Sequence, residues 1–241
     1  MAEKKSKEVK TGSAFDLLSK SYETVKDYWK VFAFVNIFGI IYALMEALNP
    51  KDYDTNKYNN HFFTLPSDLS GFQLSLIIAS GLLILLLFLA VNFFFFTMAT
   101  SLEVKAAKNK RPDYSELIND GKKFFFPLLG LIIIMSVIIS IGLLLLVVPG
   151  IIAIGRLAMA PYIMVEKRVG VEEALKRSNQ LGKKYFGKVW AALLVMIVVT
   201  ALFAGLLEII PLLGPLAAVV VSITFSLVLA LRYQQLQGHK V

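Results

Sequence analysis

Long uncharged apolar runs alternate with short segments crowded with lysine and arginine, and this alternation organises the whole chain. Three runs, 72–100, 124–148 and 189–210, hold no Lys, Arg or Asp, and only the last holds a Glu. An uncharged stretch beyond ~18 residues reads as a membrane-spanning helix, because ~20 residues rising 1.5 Å each cross a ~30 Å hydrocarbon core. Three shorter apolar segments lie between or beside them. The pattern predicts an all-α bundle of about six spans, at 29–48, 72–100, 124–148, 151–165, 189–210 and 212–231. Residues 1–28 form an N-terminal segment with an amphipathic helix, and 233–241 form a tail.

The fourth span is short and carries Arg156 and Pro161, so its length alone would allow a re-entrant segment. The distribution of charge favours a full crossing. Residues 1–30 carry seven basic residues, 101–123 carry six and 166–188 carry seven, whereas 49–71 holds only Lys51 and Lys57. Lys and Arg collect in short cytoplasmic loops. If the fourth segment failed to cross, the basic 166–188 segment would fall outside. The expected topology therefore has both termini in the cytoplasm and the chain in a plasma membrane. The net charge of +8 follows from the same asymmetry. It also permits attraction to anionic lipid, whereas dispersal of the basic residues among several loops argues against nucleic acid.

Each of three upstream segments leads through a lysine-aromatic junction into an outward helix. The junctions are Lys26-Asp27-Tyr28-Trp29, Lys122-Lys123-Phe124-Phe125 and Lys183-Lys184-Tyr185-Phe186. They raise the expectation of three helical-hairpin repeats, each preceded by an amphipathic helix. In the first segment Phe15, Leu18, Tyr22, Val25 and Trp29 recur at helical spacing, and in the third Ala174, Ser178, Leu181 and Tyr185 do so. Such helices either lie in the membrane interface or pack against the end of the bundle. The sequences Val148-Pro149-Gly150 and Pro211-Leu212-Leu213-Gly214-Pro215 are expected to be tight turns between antiparallel helices.

Composition removes several chemistries. With 57% hydrophobic residues and no cysteine, thiolate, disulfide and Cys-ligated metal sites are absent. His61 and His239 are isolated in polar stretches. The segment Asp52-Tyr53-Asp54-Thr55-Asn56 begins like a calcium loop, but Lys57 stands where Gly is needed and Phe63 where Glu is needed. No cofactor is implied, and no catalytic constellation points to an enzyme. The candidate polar site within the membrane comprises Arg156, Glu208, Glu46 and Asn92. Arg156 is costly inside a span and has three readings: an ion pair with Glu208 or Glu46, a snorkelling side chain, or a ligand for a substrate or lipid phosphate. Asn36 and Asn92 are expected to hydrogen-bond between helices.

The run Val148-Pro149-Gly150-Ile151, then Arg156, then Ala160-Pro161, then Glu173-Ala174-Leu175-Lys176-Arg177-Ser178 resembles the membrane domain of some bacterial glycerophosphoryl diester phosphodiesterases and its stand-alone six-helix relatives. The likeness covers roughly residues 145–190. It implies a prokaryotic membrane module beside lipid or envelope metabolism and imports no activity, because catalysis in those enzymes belongs to a separate soluble barrel. The leading expectation is a non-enzymatic module engaging membrane lipids, anionic ones included, or a protein partner or second copy, in envelope homeostasis. A small-solute or lipid transporter, with a polar cavity around Arg156, is the alternative. A membrane-embedded lipid enzyme is a third reading.

Overall fold

The computed structural model describes residues 12–48, 70–207 and 214–238, and these are all-helical. Ten helices follow in order among them: α1 Ala14–Asp27, α2 Trp29–Val35, α3 Ile37–Leu48, α4 Gly71–Ala107, α5 Tyr114–Leu145, α6 Val147–Leu157, α7 Ala160–Lys167, α8 Val171–Lys184, α9 Phe186–Leu207 and α10 Gly214–Leu236. Five stretches are long and apolar enough to cross a membrane: α4, α5, Val147–Lys167 (α6 with α7), most of α9 and most of α10.

The expected first span is the exception, because it is divided into α2 and α3 at Asn36. That residue leaves helical geometry at φ −100°, ψ 20°, and its side-chain amide donates 2.9 Å to its own helix at the Phe32 carbonyl. Asn92 does likewise, donating 2.9 Å to the Phe88 carbonyl. Both asparagines were expected to bridge helices. Each instead satisfies its amide locally, four residues back, where a short polar side chain finds an acceptor without needing a partner helix.

Two segments expected to be loops are helical. α4 runs on through Ser101 to Ala107, because nothing in Ser-Leu-Glu-Val-Lys-Ala-Ala interrupts it. The break comes at Asn109, in left-handed geometry (φ 57°), followed by Pro112. Asp113 then opens α5 by accepting from the Glu116 amide. Val148-Pro149-Gly150 is not a turn. The chain reverses at Leu146, in extended conformation, and α6 already includes all three residues. Proline is tolerated there because the first turn of a helix has no intrahelical partner for its missing N–H. The reversal is tight enough that a Cβ added to Gly142 would stand 2.9 Å from the Gly150 Cα. Small residues let helices approach closely where water cannot drive association. Of the second expected turn, Pro211 to Leu213 lie outside the described residues, and Gly214 and Pro215 begin α10.

The buried core sits toward the end of the bundle that carries the basic segments. Met98, Leu102, Leu117, Leu131, Ile163 and Leu227 are fully buried there. The apolar stretches 72–91 of α4 and 133–145 of α5 are largely exposed, the inside-out pattern expected of surface that meets hydrocarbon. Three carboxylates lock the core's rim. Asp120 accepts from Ser101 at 2.6 Å and pairs with Lys105 at 2.6 Å. Glu116 also reaches Lys105, at 3.2 Å, and Glu166 pairs with Lys108 at 2.5 Å. Together they tie α4, α5 and α7.

The upstream helices pack onto the bundle, and they do so in a repeating way. α8 lies on α6 and α7, while α1 lies on α10 and α9. Each ends at a tyrosine of matching geometry, Tyr28 (φ −114°, ψ 23°) and Tyr185 (φ −121°, ψ 32°). Seven residues before it, a buried serine bonds a neighbouring helix: Ser21 donates to the Thr224 carbonyl, and Ser178 donates 2.8 Å to the Arg156 carbonyl. The middle junction differs, since Phe124 lies inside an unbroken α5. It still shares one contact, because Gly121, like Gly182, lies against the preceding return helix. A Cβ at Gly121 would stand 2.8 Å from Met98 Cγ. In α1, Leu17, Ser21, Thr24 and Val25 face inward; of the stripe read from the sequence Val25 lies on that face, while Phe15, Tyr22 and Trp29 are exposed. The bundle takes the face that can seat Ser21 and Thr24, and the bulky aromatics face outward.

Candidate functional site

Arg156 stands in the last turn of α6, half-buried, with its backbone pressed against α8. A Cβ on Gly182 would lie 2.5 Å from the Arg156 Cα, and the Ser178 hydroxyl holds the Arg156 carbonyl. The two small residues of α8, four apart on one helical face, allow this approach. Arg156 thus stands where α8 packs onto α6.

Neither acid proposed as its partner tests the pairing. Glu208 lies outside the described residues, and Glu46 is placed only as backbone in α3. Among the described residues no carboxylate pairs with Arg156, and its Nε is buried without a hydrogen-bond partner. A buried guanidinium N–H left unpaired costs free energy comparable to a lost hydrogen bond. Arg156 lines a cleft of about 560 Å³ with Lys176 and Asn179 of α8. The rest of the lining is Ile138 of α5, Pro149, Ile152, Ala153 and Leu157 of α6, and Leu175 of α8. The cleft is thus cationic at its α8 side and hydrocarbon-like along the α5–α6 hairpin. Pro149 contributes to its wall, and Gly150 faces away into the hairpin contact with Leu143 and Gly142. Asn92, the fourth sequence candidate, is remote in role and simply bonds Phe88.

In the sequence Lys176 stands out only as part of the resembling run, and Asn179 not at all. They come beside Arg156 because Ser178 and Gly182, their neighbours on α8, pack directly against the Arg156 backbone. The Arg156 cleft is not the only cavity among the described residues. A larger one, of about 640 Å³, is bounded by α4, α7, α9 and α10, with Glu103 in its wall. The sequence reading placed Glu103 in a loop. The available signal was the absence of any helix breaker between residues 100 and 108.

No curated protein and no solved structure matches the chain. The family match covers residues 32–232 and carries no link to the phosphodiesterase membrane domain. Since that match takes in most of the chain and every residue lining both cavities, the chain belongs to an uncharacterised protein family, UPF0259.

Proposed function

We propose that the protein is a non-enzymatic integral membrane module of a prokaryotic plasma membrane, with both termini cytoplasmic, that holds the phosphate of a membrane phospholipid in the Arg156 cleft. The observation that carries this reading is the buried, unpartnered Nε of Arg156 in a cleft it shares with Lys176 and Asn179. A guanidinium offers a fork of donors matched to phosphate, an ammonium adds a point charge, and the carboxamide adds a neutral donor. Acyl chains would run along Ile138, Ile152 and Ala153. Pro149, Arg156 and Lys176, which belong to the run that resembles the phosphodiesterase membrane domain, all line this cleft. That likeness supports a place beside lipid or envelope metabolism. Transport, the alternative reading, has the cavity at Glu103 in its favour.

Native mass spectrometry of the chain in mild detergent tests the proposal, with wild type compared with Arg156→Lys and Lys176→Ala. The expected result is a retained phospholipid adduct on wild type that weakens in both variants. No adduct on folded wild type, or equal adducts on all three, would overturn it.

A further inference from the structure

The larger cavity is a second site, chemically opposite to the first. Its wall carries one carboxylate, Glu103 of α4, within hydrogen-bond reach of the hydroxyls of Tyr162 and Ser226. The Ser226 hydroxyl lies 3.0 Å from the Ile223 carbonyl of its own helix, so its one proton is shared between that acceptor and Glu103. Among the described residues no Lys or Arg pairs with Glu103. The contrast with Asp120, Glu116 and Glu166 is marked, since each of those three has a lysine within 3.2 Å. A lone carboxylate in a mostly apolar wall lacks the compensation that buried charges ordinarily require.

The cavity's size and lining say what would supply it. About 640 Å³ is the volume of a small-molecule site, far more than a bare metal ion fills. No group of three or more His, Asp or Glu that could hold a metal occurs among the described residues. Phe96, Met196, Ile197, Pro161 and Leu229 make the walls apolar, with Thr100, Thr200 and Ser222 as scattered hydroxyls. Phe96 and Ile197 are 43% and 53% exposed, and Ala201 and Ser222 are exposed as well. The mouth is therefore framed by α4, α9 and α10, three helices apolar enough to cross a membrane. It lies on the exposed, largely apolar surface of these helices.

We infer that this cavity binds a lipophilic organic monocation, one ammonium-type charge on an apolar body, with Glu103 as the counter-charge. One carboxylate balances one positive charge. The Phe96 and Tyr162 rings add cation–π attraction, and the remaining wall takes the apolar body. The inference is independent of lipid binding at Arg156, because the two cavities share no residue.

Equilibrium binding of tetraphenylphosphonium to the full chain in mild detergent tests it, with tetraphenylborate as a probe of the same shape and opposite charge. Saturable binding of the cation is expected, at least about tenfold tighter than the anion. Glu103→Gln should weaken the cation by about tenfold while leaving the anion unchanged or improved. Ala201→Trp, at the exposed mouth, should weaken both by obstruction. The inference is overturned if wild type fails to bind the cation, if cation and anion bind alike, or if folded Glu103→Gln binds as wild type does.

Discussion

The Ser178 hydroxyl lies 2.8 Å from the main-chain carbonyl of Arg156, joining the amphipathic helix α8 to the turn that bears the charge of the fourth span. Directly beside this bond, the bare Cα of Gly182 leaves no room for a side chain against the Arg156 backbone. Replacing Gly182 by Ala adds a methyl that helix propensity favours by ~1 kcal/mol, yet places it 2.5 Å from an immovable Cα. Overpacking against backbone costs about 1–3 kcal/mol. We therefore expect Gly182→Ala to lower the thermal midpoint in detergent, and Gly182→Val to lower it further. Ser178→Ala should cost about 1 kcal/mol through the unsatisfied carbonyl. An unchanged midpoint for both glycine variants would refute the contact.

The α5–α6 reversal makes a matched comparison possible. Gly142 has the backbone of Gly150 at 2.9 Å from its virtual Cβ, whereas Gly81 in α4 has nothing within 4 Å. Gly142→Ala is expected to destabilise by about 1–3 kcal/mol, and Gly81→Ala to be neutral or stabilising by up to ~1 kcal/mol. Thermal unfolding of the two variants side by side reads the difference, and equal effects would contradict the hairpin.

At the core's rim, Asp120 is 6% exposed and holds both Ser101 and Lys105. Removing one member of a buried pair costs more than removing both. Asp120→Ala should destabilise by about 1–3 kcal/mol, less than a fully buried pair would, because Glu116 at 3.2 Å remains to Lys105. The double variant Asp120→Leu with Lys105→Met should cost less than the two single effects added. Additive effects in this cycle would show that the ion pair contributes nothing of its own.

Lipid retention at the Arg156 cleft should be sensitive to salt in a graded way. Lys176 is exposed, so its attraction to a phosphate is screened over ~10 Å at 0.1 M ionic strength, whereas the half-buried Arg156 is screened less. Raising salt should lower adduct abundance in wild type toward that of Lys176→Ala, and change Lys176→Ala little. A variant that remains as salt-sensitive as wild type would remove Lys176 from the headgroup site.

Much of the fold was written in local chemistry. The runs 72–100 and 124–148 could be recognised as helices for a membrane because each apolar residue contributes separately to that preference, without reference to any partner. The buried face Ala174, Ser178 of α8 was readable in the same way, from spacing alone. Where the reading failed, the deciding factor was a neighbour or a local competition. The division of the first span at Asn36 and the inclusion of Pro149 and Gly150 in α6 turn on how main-chain groups find partners, which a hydropathy pattern does not record. Hydrophobicity ranks Phe15, Tyr22 and Trp29 above Ser21 and Thr24 and left open which face of α1 meets the bundle; the structure buries the smaller pair, with Ser21 bonded to α10.

The sequence by itself determined the class of solvent this chain expects, the helical character of its long apolar runs and the asymmetry of its charge, since all three are sums over residues taken singly. Only the tertiary structure decided which polar side chains meet: Arg156 with Lys176 and Asn179, and Glu103 with Tyr162 and Ser226. Those meetings join residues 20 to 123 positions apart, and they depend on close helix approaches, such as that at Gly182, whose geometry no single segment encodes.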